Sequence, residues 1–257
     1  MKLARVLWQG KPLWAIIEGD IAYRLAGDRF ARPRKGKELA KAGKLRLLAP
    51  IEPANKIVGM LGNFGARGKR KGPGLFLKPA STVIGQNDTI VQPSPGLPVH
   101  FEAELGVVIG RTAKNVSEGK ALSHVLGYTI VNDATTFPAL KEDGGPSIRF
   151  KIYDTFCPIG PWIVTDIDAG ALRLTSRLNG RICQDVSTRE MCFTVAEVVA
   201  WVTSVMTLQP GDIITMGTPP GNAEMRPGDR IECAIEGIGV LFNRVAKGKS
   251  LPGAKGQ

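Results

Sequence analysis

A chain of 257 residues with 43% hydrophobic residues can fold around a sizeable core, which excludes disorder over most of its length. No apolar run reaches the ~20 residues that a membrane-spanning helix requires, and the N-terminal residues lack the apolar core of a signal peptide. We therefore expect a cytoplasmic protein without a membrane partner. The net charge of +11 is concentrated in runs at 32–46, 67–71 and 247–255. These runs contain no aromatic residues on which bases could stack, so we expect no nucleic-acid partner.

Residues 1–52 are predicted to form a small, β-rich N-terminal domain. Two or three short strands there are separated by Gly-Lys and Gly-Asp turns, and the basic segment that follows is a candidate helix. Pro50 and Pro53 mark the boundary. Residues 53–246 are predicted to form the larger domain, and residues 247–257 a basic flexible tail.

Short strands dominate the larger domain, because apolar or alternating runs closed by turn residues recur along it. Helices are predicted at 117–126, 137–141 and 195–206, and the last has the clearest helical spacing of apolar residues. This pattern predicts a β-dominated α+β fold rather than a doubly wound parallel sheet.

Three acidic residues are candidate metal ligands. Glu102 and Glu104 are two positions apart in a predicted strand, so their side chains project from the same face. Two neighbouring carboxylates repel each other, and burying them is costly unless a cation is bound. Asp133 ends a second apolar run and offers a third ligand. Spacing alone leaves two interpretations open: a site for a hard divalent cation, or two glutamates on the wet face of a strand.

Six motifs, taken in order, resemble the fumarylacetoacetate hydrolase superfamily. They are HFEAELGVVIG at 100–110, GYTIVND at 127–133, KIYDTFCPIGPW at 151–162, LQPGDII at 208–214, GTP at 217–219 and IEGIGVL at 235–241. Among the members of this superfamily, the motifs most resemble those of the 2-hydroxyhepta-2,4-diene-1,7-dioate isomerase/decarboxylase of the homoprotocatechuate pathway.

The resemblance implies a mixed β-roll, a homodimer, and Mg²⁺ or Mn²⁺ bound by Glu102, Glu104 and Asp133. The substrate would be a small 2-oxo acid. Further residues at the pocket would be Lys78, Lys151, Gly217 and Thr218. Lys151 is the candidate proton carrier, because a nearby cation is expected to lower its pKa.

The chain departs from the family pattern at the lid and at the pocket wall. Arg67 and Arg70 stand where members commonly carry a His/Glu dyad, and arginine cannot act as a general base at neutral pH. These arginines could instead hold a substrate carboxylate, or lie in a solvated loop. Phe137 and Leu140 replace an arginine and a glutamine, so a larger or aromatic 2-oxo acid is a reasonable hypothesis.

These features favour metal-stabilised enolate chemistry on a 2-oxo or 2-hydroxy-enoic acid, as in an isomerase, a tautomerase or a decarboxylase. An acylpyruvate-type C–C hydrolase is the second hypothesis, although hydrolysis requires a base that activates water. A non-catalytic or ligand-binding member is the third, because the dyad is missing.

Overall fold

The computed structural model describes residues 1–68, 72–144 and 147–248. Strands hold 46% of the residues and helices 16%, which confirms the predicted β-dominated α+β class. Among the described residues, no helix is both long and apolar enough to cross a bilayer.

The N-terminal part is an antiparallel meander. Its strands are β1 (Lys2–Trp8), β2 (Lys11–Glu18), β3 (Ile21–Ala26), β4 (Arg34–Lys41) and β5 (Arg46–Leu48). The candidate helix in the basic segment is wrong, because this segment forms β4 and one 3₁₀ turn, Ala42–Lys44. Strand β4 pairs with the free edge of β3 and packs Leu39 against the local apolar cluster. A helix would leave that edge unpaired, and Gly36 would weaken the helix.

The rest of the described chain alternates short strands with three α-helices. The strands are β6 (Ile57–Leu61), β7 (Gly74–Lys78), β8 (Val83–Ile84), β9 (Thr89–Gln92), β10 (Val99–His100), β11 (Ala103–Ile109), β12 (Val125–Asn132), β13 (Cys157–Val164), β14 (Arg173–Leu178), β15 (Arg181–Ser187), β16 (Ile213–Thr215), β17 (Glu224–Met225), β18 (Arg230–Ile235) and β19 (Gly239–Lys247). The helices are α1 (Glu118–Ala121), α2 (Phe137–Asp143) and α3 (Val195–Val205).

Two of the three helix predictions are confirmed, at α2 and α3. The prediction at 117–126 is right only for its first half, since α1 passes into a 3₁₀ turn and Val125 already begins β12. Tertiary pairing of β12 with β11 overrides the weak helical preference there. Lys247 lies in β19, and the predicted tail from residue 249 onward falls outside the described residues.

Twelve strands form one sheet, in the order β4-β3-β2-β1-β13-β12-β11-β16-β6-β7, with β5 beside β1 and β8 beside β13. Strand β1 pairs antiparallel with β13, with Leu3 opposite Ile163, so the N-terminal meander extends the sheet of the larger part. A five-stranded sheet, β15-β14-β18-β19-β9, packs against β11, β12 and β13 and encloses the main apolar core. The division into domains at residue 52 stays a prediction.

Candidate metal centre and pocket

The three predicted metal ligands meet at one edge of the large sheet. Strands β11 and β12 are antiparallel, with Ala103 opposite Asn132, so the start of one lies beside the end of the other. The backbone N–H of Asp133 donates to the carbonyl of Glu102 over 2.9 Å. Glu104 follows on the same face of β11, and one carboxylate oxygen from each acid lies within 4.8 Å of the others.

Burial gives this acid cluster (Glu102, Glu104 and Asp133) unusual electrostatics. Burial raises the pKa of Glu102 above its usual value and raises that of Glu104 well above it. For Asp133, burial acts in the same direction, but the charges of Lys151 and Lys78 outweigh it and lower the pKa.

Two lysines compensate part of the negative charge. Lys151 Nζ, in the 3₁₀ turn Arg149–Lys151, donates to Asp133 Oδ2 over 2.6 Å and makes a short contact with Glu102 Oε2. Lys78 Nζ, at the end of β7, donates to Asp133 Oδ1 over 2.5 Å. Among the described residues, Glu104 has no ammonium partner, and its Oε2 accepts the backbone N–H of Gly217 over 2.7 Å.

The donor set fits a hard divalent cation. Three buried carboxylates face two ammonium groups, so one negative charge is left over when all three acids are ionised. Oxygen-only ligands at this spacing suit Mg²⁺ or Mn²⁺. Such an ion would remove the burial penalty that holds the pKa of Glu104 high.

The lowering of the Lys151 pKa by a nearby cation stays a prediction, and the protein's own side chains act in the opposite direction. Burial acts to lower this pKa, but the attraction of Asp133 and Glu102 exceeds that effect, so the pKa lies above the usual lysine value. In this state Lys151 is an ammonium that donates hydrogen bonds.

A cavity of about 500 Å³ opens beside the acid cluster. Glu102, Glu104, Lys151 and Thr218 form its polar end. Much of its remaining wall is apolar and includes Leu61, Leu75, Phe137, Leu140, Ile148 and Phe150. Phe137 lines the cavity, as the sequence predicted. Leu61, Leu75 and Phe150 were not predicted there, because only the tertiary fold brings them to α2.

The loop at 217–219 is fixed against the start of β11. Gly217 has a φ of +82°, and a Cβ atom on it would lie 3.1 Å from Cβ of Asn63, so glycine is required here. The hydroxyl of Thr218 donates to the carbonyl of Ala103 over 3.1 Å. It accepts a hydrogen bond of 2.9 Å from Gln184 Nε2.

Gln184 is a residue that the sequence analysis missed. It is buried in β15, where its Nε2 also donates to the carbonyl of Pro219 over 2.7 Å. In the sequence, the residues two positions before and after it, Ile182 and Val186, are apolar, but the strand Arg181–Ser187 was not predicted at all. Asn222, also missed, lies 3.4 Å from Glu102 Oε1 through its Nδ2.

The structure keeps two predicted substrate residues away from the cavity. Lys78 is fully buried behind Asp133, and its Nζ also donates to the carbonyl of Lys151 over 2.6 Å. Arg67 Nη1 pairs with Glu197 Oε1 of α3 over 2.8 Å, and its guanidinium lies 4.3 Å from the Phe193 ring centroid. Arg70 lies outside the described residues. Roles of these three residues in substrate binding stay predictions.

Comparison with known proteins agrees with this geometry. Residues 58–246 match the family described as "Fumarylacetoacetate (FAA) hydrolase C-terminal", and residues 1–50 match "Rv2993c-like, N-terminal". The structure of a 2-hydroxyhepta-2,4-diene-1,7-dioate isomerase from Mycobacterium marinum is 41% identical, with a TM-score of 0.90 over 97% of this chain and 100% of that chain.

Two further relatives differ in the reaction that they are named for. Human mitochondrial oxaloacetate tautomerase FAHD2A is 34% identical over 219 residues, which are 79% of this chain and 70% of that protein. The maleylpyruvate hydrolase of Sphingobium sp. SYK-6, solved with manganese(II) and pyruvate, is 29% identical with a TM-score of 0.82, over 97% of this chain and 100% of that chain. These three relatives are named as an isomerase, a tautomerase and a hydrolase. On the match over residues 58–246 and these identities, the chain belongs to the fumarylacetoacetate hydrolase family.

Proposed function

We propose that this protein is a divalent-metal-dependent enzyme that catalyses keto–enol exchange of 2-oxo acids, as an isomerase or tautomerase does. Decarboxylation of β-oxo acids is the related second outcome. The observation that carries the proposal is the buried acid cluster at the polar end of a largely apolar cavity. A bound Mg²⁺ or Mn²⁺ would act as a Lewis acid toward the 2-oxo group.

The residues around the cluster have separate tasks in this proposal. Lys151 Nζ is held by Glu102 and Asp133 and lines the cavity. As an ammonium it would give its proton to the 2-oxo oxygen, and the resulting amine would take the proton from C3. The N–H of Gly217 orients Glu104. The apolar wall limits the entry of water, which favours proton transfer within the substrate over hydrolysis. The exchange moves one proton from C3 to the 2-oxo oxygen, so it consumes no co-reactant.

The positions of the two histidines support exchange over hydrolysis. C–C hydrolysis needs a base that activates water. His124 is part-exposed and contacts the carbonyl of Thr112 through Nδ1 over 3.1 Å. His100 packs edge-on against Phe137, with ring centroids 4.8 Å apart. Neither histidine lines the cavity.

The hydrolase alternative is supported by the similarity to the maleylpyruvate hydrolase, and a non-catalytic role is the remaining alternative.

The test uses purified protein with Mn²⁺ and, separately, oxaloacetate and an acylpyruvate. We expect the protein to accelerate the loss of the enol absorbance, and EDTA or Glu102→Gln to abolish that acceleration. Glu118→Gln, an exposed carboxylate in α1, is the matched control and should leave the rate unchanged. Release of a second acid from the acylpyruvate would support the hydrolase instead, and acceleration that survives EDTA would contradict metal dependence.

A further inference from the structure

The end of the cavity that faces away from the acid cluster is apolar. Six large apolar side chains form much of its wall: Leu61, Leu75, Phe137, Leu140, Ile148 and Phe150. Ser147 is the polar side chain of this wall, and its hydroxyl already donates to Asp143. Any group that occupies this end therefore meets few hydrogen-bonding partners.

Arg149, a cationic side chain beside this wall, is already paired with two carboxylates of α2. Arg149, between Ile148 and Phe150, donates from Nε to Asp143 Oδ1 over 2.8 Å and from Nη2 to Glu142 Oε2 over 2.8 Å. Within the described lining, Lys151 is the single cation, and it lies at the acid cluster. A carboxylate at the far end of a substrate would lose water there without gaining an ion pair from the described residues, which is unfavourable.

Part of the apolar wall is exposed at the mouth of the cavity. Leu61 is 43% exposed, Leu140 37% and Ile148 39%. These residues come from three separate segments, yet they line one opening, so together they form an apolar rim. An apolar group of the ligand that covered this rim would remove its surface from water, which favours binding.

We propose that the cavity selects 2-oxo acids with an apolar alkyl or aryl substituent at C3 over dicarboxylic 2-oxo acids. This inference rests on the proposed function, because that function places the 2-oxo acid group at the acid cluster. The cavity volume of about 500 Å³ accommodates an aryl group in addition to the 2-oxo acid group at the acid cluster. Leu140 and Ile148 are then the residues that determine specificity at the rim.

The test compares phenylpyruvate with oxaloacetate on the Mn²⁺-loaded protein, by calorimetric binding and by the kcat/KM for enol exchange. We expect phenylpyruvate to bind at least about tenfold more tightly, as a well-filled apolar pocket allows. Leu140→Arg should weaken phenylpyruvate binding by about tenfold and tighten oxaloacetate binding. Ile148→Arg, at the same rim, should act in the same direction. Ile182→Arg, on β15 and 45% exposed, is the control and should change neither.

The inference and the proposed function can fail separately. Tighter binding of oxaloacetate than of phenylpyruvate by the unmodified protein would overturn the inference. So would a preference between the two acids that is the same in the Leu140→Arg and Ile148→Arg variants as in the unmodified protein. Either result would leave metal-dependent exchange intact. Selective binding of phenylpyruvate without any acceleration of exchange would uphold the inference on substrate class and overturn the catalytic proposal.

Discussion

Glu104 differs from its two neighbours because it lacks a lysine partner among the described residues. Asp133 is held by two ammonium groups and Glu102 by one, whereas Glu104 accepts the backbone N–H of Gly217 and pairs with no ammonium of the described residues. Burial consequently raises the pKa of Glu104 well above its usual value. A raised pKa opposes ionisation of this carboxyl, so a bound cation would have to compete with a proton for it.

The affinity for Mn²⁺ is expected to rise with pH through the raised pKa of Glu104, because fewer protons remain to be displaced. Calorimetry in buffers with different ionisation enthalpies will count the protons released. Glu104→Gln should reduce the affinity more than about 100-fold and abolish most of the pH dependence. Proton release that is identical in Glu104→Gln and in the unmodified protein would contradict the assignment.

The same carboxyl sets a pH dependence of stability in the metal-free protein. A raised pKa in the folded state means that folding favours the protonated carboxyl. Its contribution to the free energy of unfolding is fully present below about pH 4.5, the ordinary pKa of glutamate in the unfolded chain. This contribution is lost as the pH rises through the pKa of the folded state. We expect the free energy of unfolding of Glu104→Gln to fall less over this window than that of the unmodified protein. Denaturant titrations at several pH values, with EDTA present, will measure the free energy of unfolding of both proteins. The same pH dependence in both would show that Glu104 does not cause it.

Gln184 acts through another residue, since its amide holds Thr218 and Pro219 rather than reaching the acid cluster. Gln184→Ala is expected to raise KM roughly fivefold, the value of one hydrogen bond of about 1 kcal/mol, with Mn²⁺ affinity unchanged. The control is Gln209→Ala, where an exposed amide accepts a hydrogen bond from Thr112. A loss of Mn²⁺ affinity in Gln184→Ala would indicate general damage to the site instead.

At the scale of elements, α3 begins with a complete capping box. Thr194 Oγ1 accepts from the N–H of Glu197, and Glu197 accepts from the N–H of Thr194. The exposed Arg67–Glu197 pair adds little to this, as surface ion pairs usually do. The cap is therefore the stronger determinant of where the helix begins.

Thr194→Ala is expected to lower the free energy of unfolding by about 1 kcal/mol. Ser117 offers a matched control, because it precedes α1 without forming a side-chain cap, so Ser117→Ala should change stability little. Urea titrations monitored by circular dichroism will measure both. Equal losses in the two variants would show that the hydrogen bond of the cap is not the cause.

Whether a segment forms a strand or a helix was predictable where its own periodicity was strong. The apolar spacing in 195–206 predicted α3, and the short run at 127–133 predicted most of β12. Strands β4 and β15 were not predicted, because their polar sequences carry little periodicity. They are strands because each one pairs with a neighbour, β4 with β3 and β15 with β14.

At the scale of the whole molecule, the N-terminal meander and the larger part share one sheet and one apolar cluster. That cluster joins Leu3 and Ile16 to Val108 and Ile163. Since the two parts bury each other's apolar surface, we expect them to unfold in one cooperative transition. The homodimer implied by the resemblance stays a prediction, for which light scattering coupled to gel filtration is the measurement.

Tryptophan fluorescence can test this cooperativity, because Trp14 lies in β2 and Trp201 in α3. Variants that retain only Trp14 or only Trp201 among the four tryptophans should give the same denaturant midpoint. An earlier transition reported by Trp14 would show that residues 1–52 unfold as a separate unit.

The sequence by itself determined the family, because six motifs occur in order, and it named Glu102, Glu104 and Asp133 as candidate ligands, although their spacing alone left the metal site open. It also indicated the apolar character at Phe137 and Leu140. Only the tertiary structure decided that Lys78 lies behind Asp133, that Gln184 supports Thr218, and that Leu61 joins Leu140 and Ile148 at the rim. Those contacts join residues far apart in the chain, and strand pairing and packing, rather than local periodicity, bring them together.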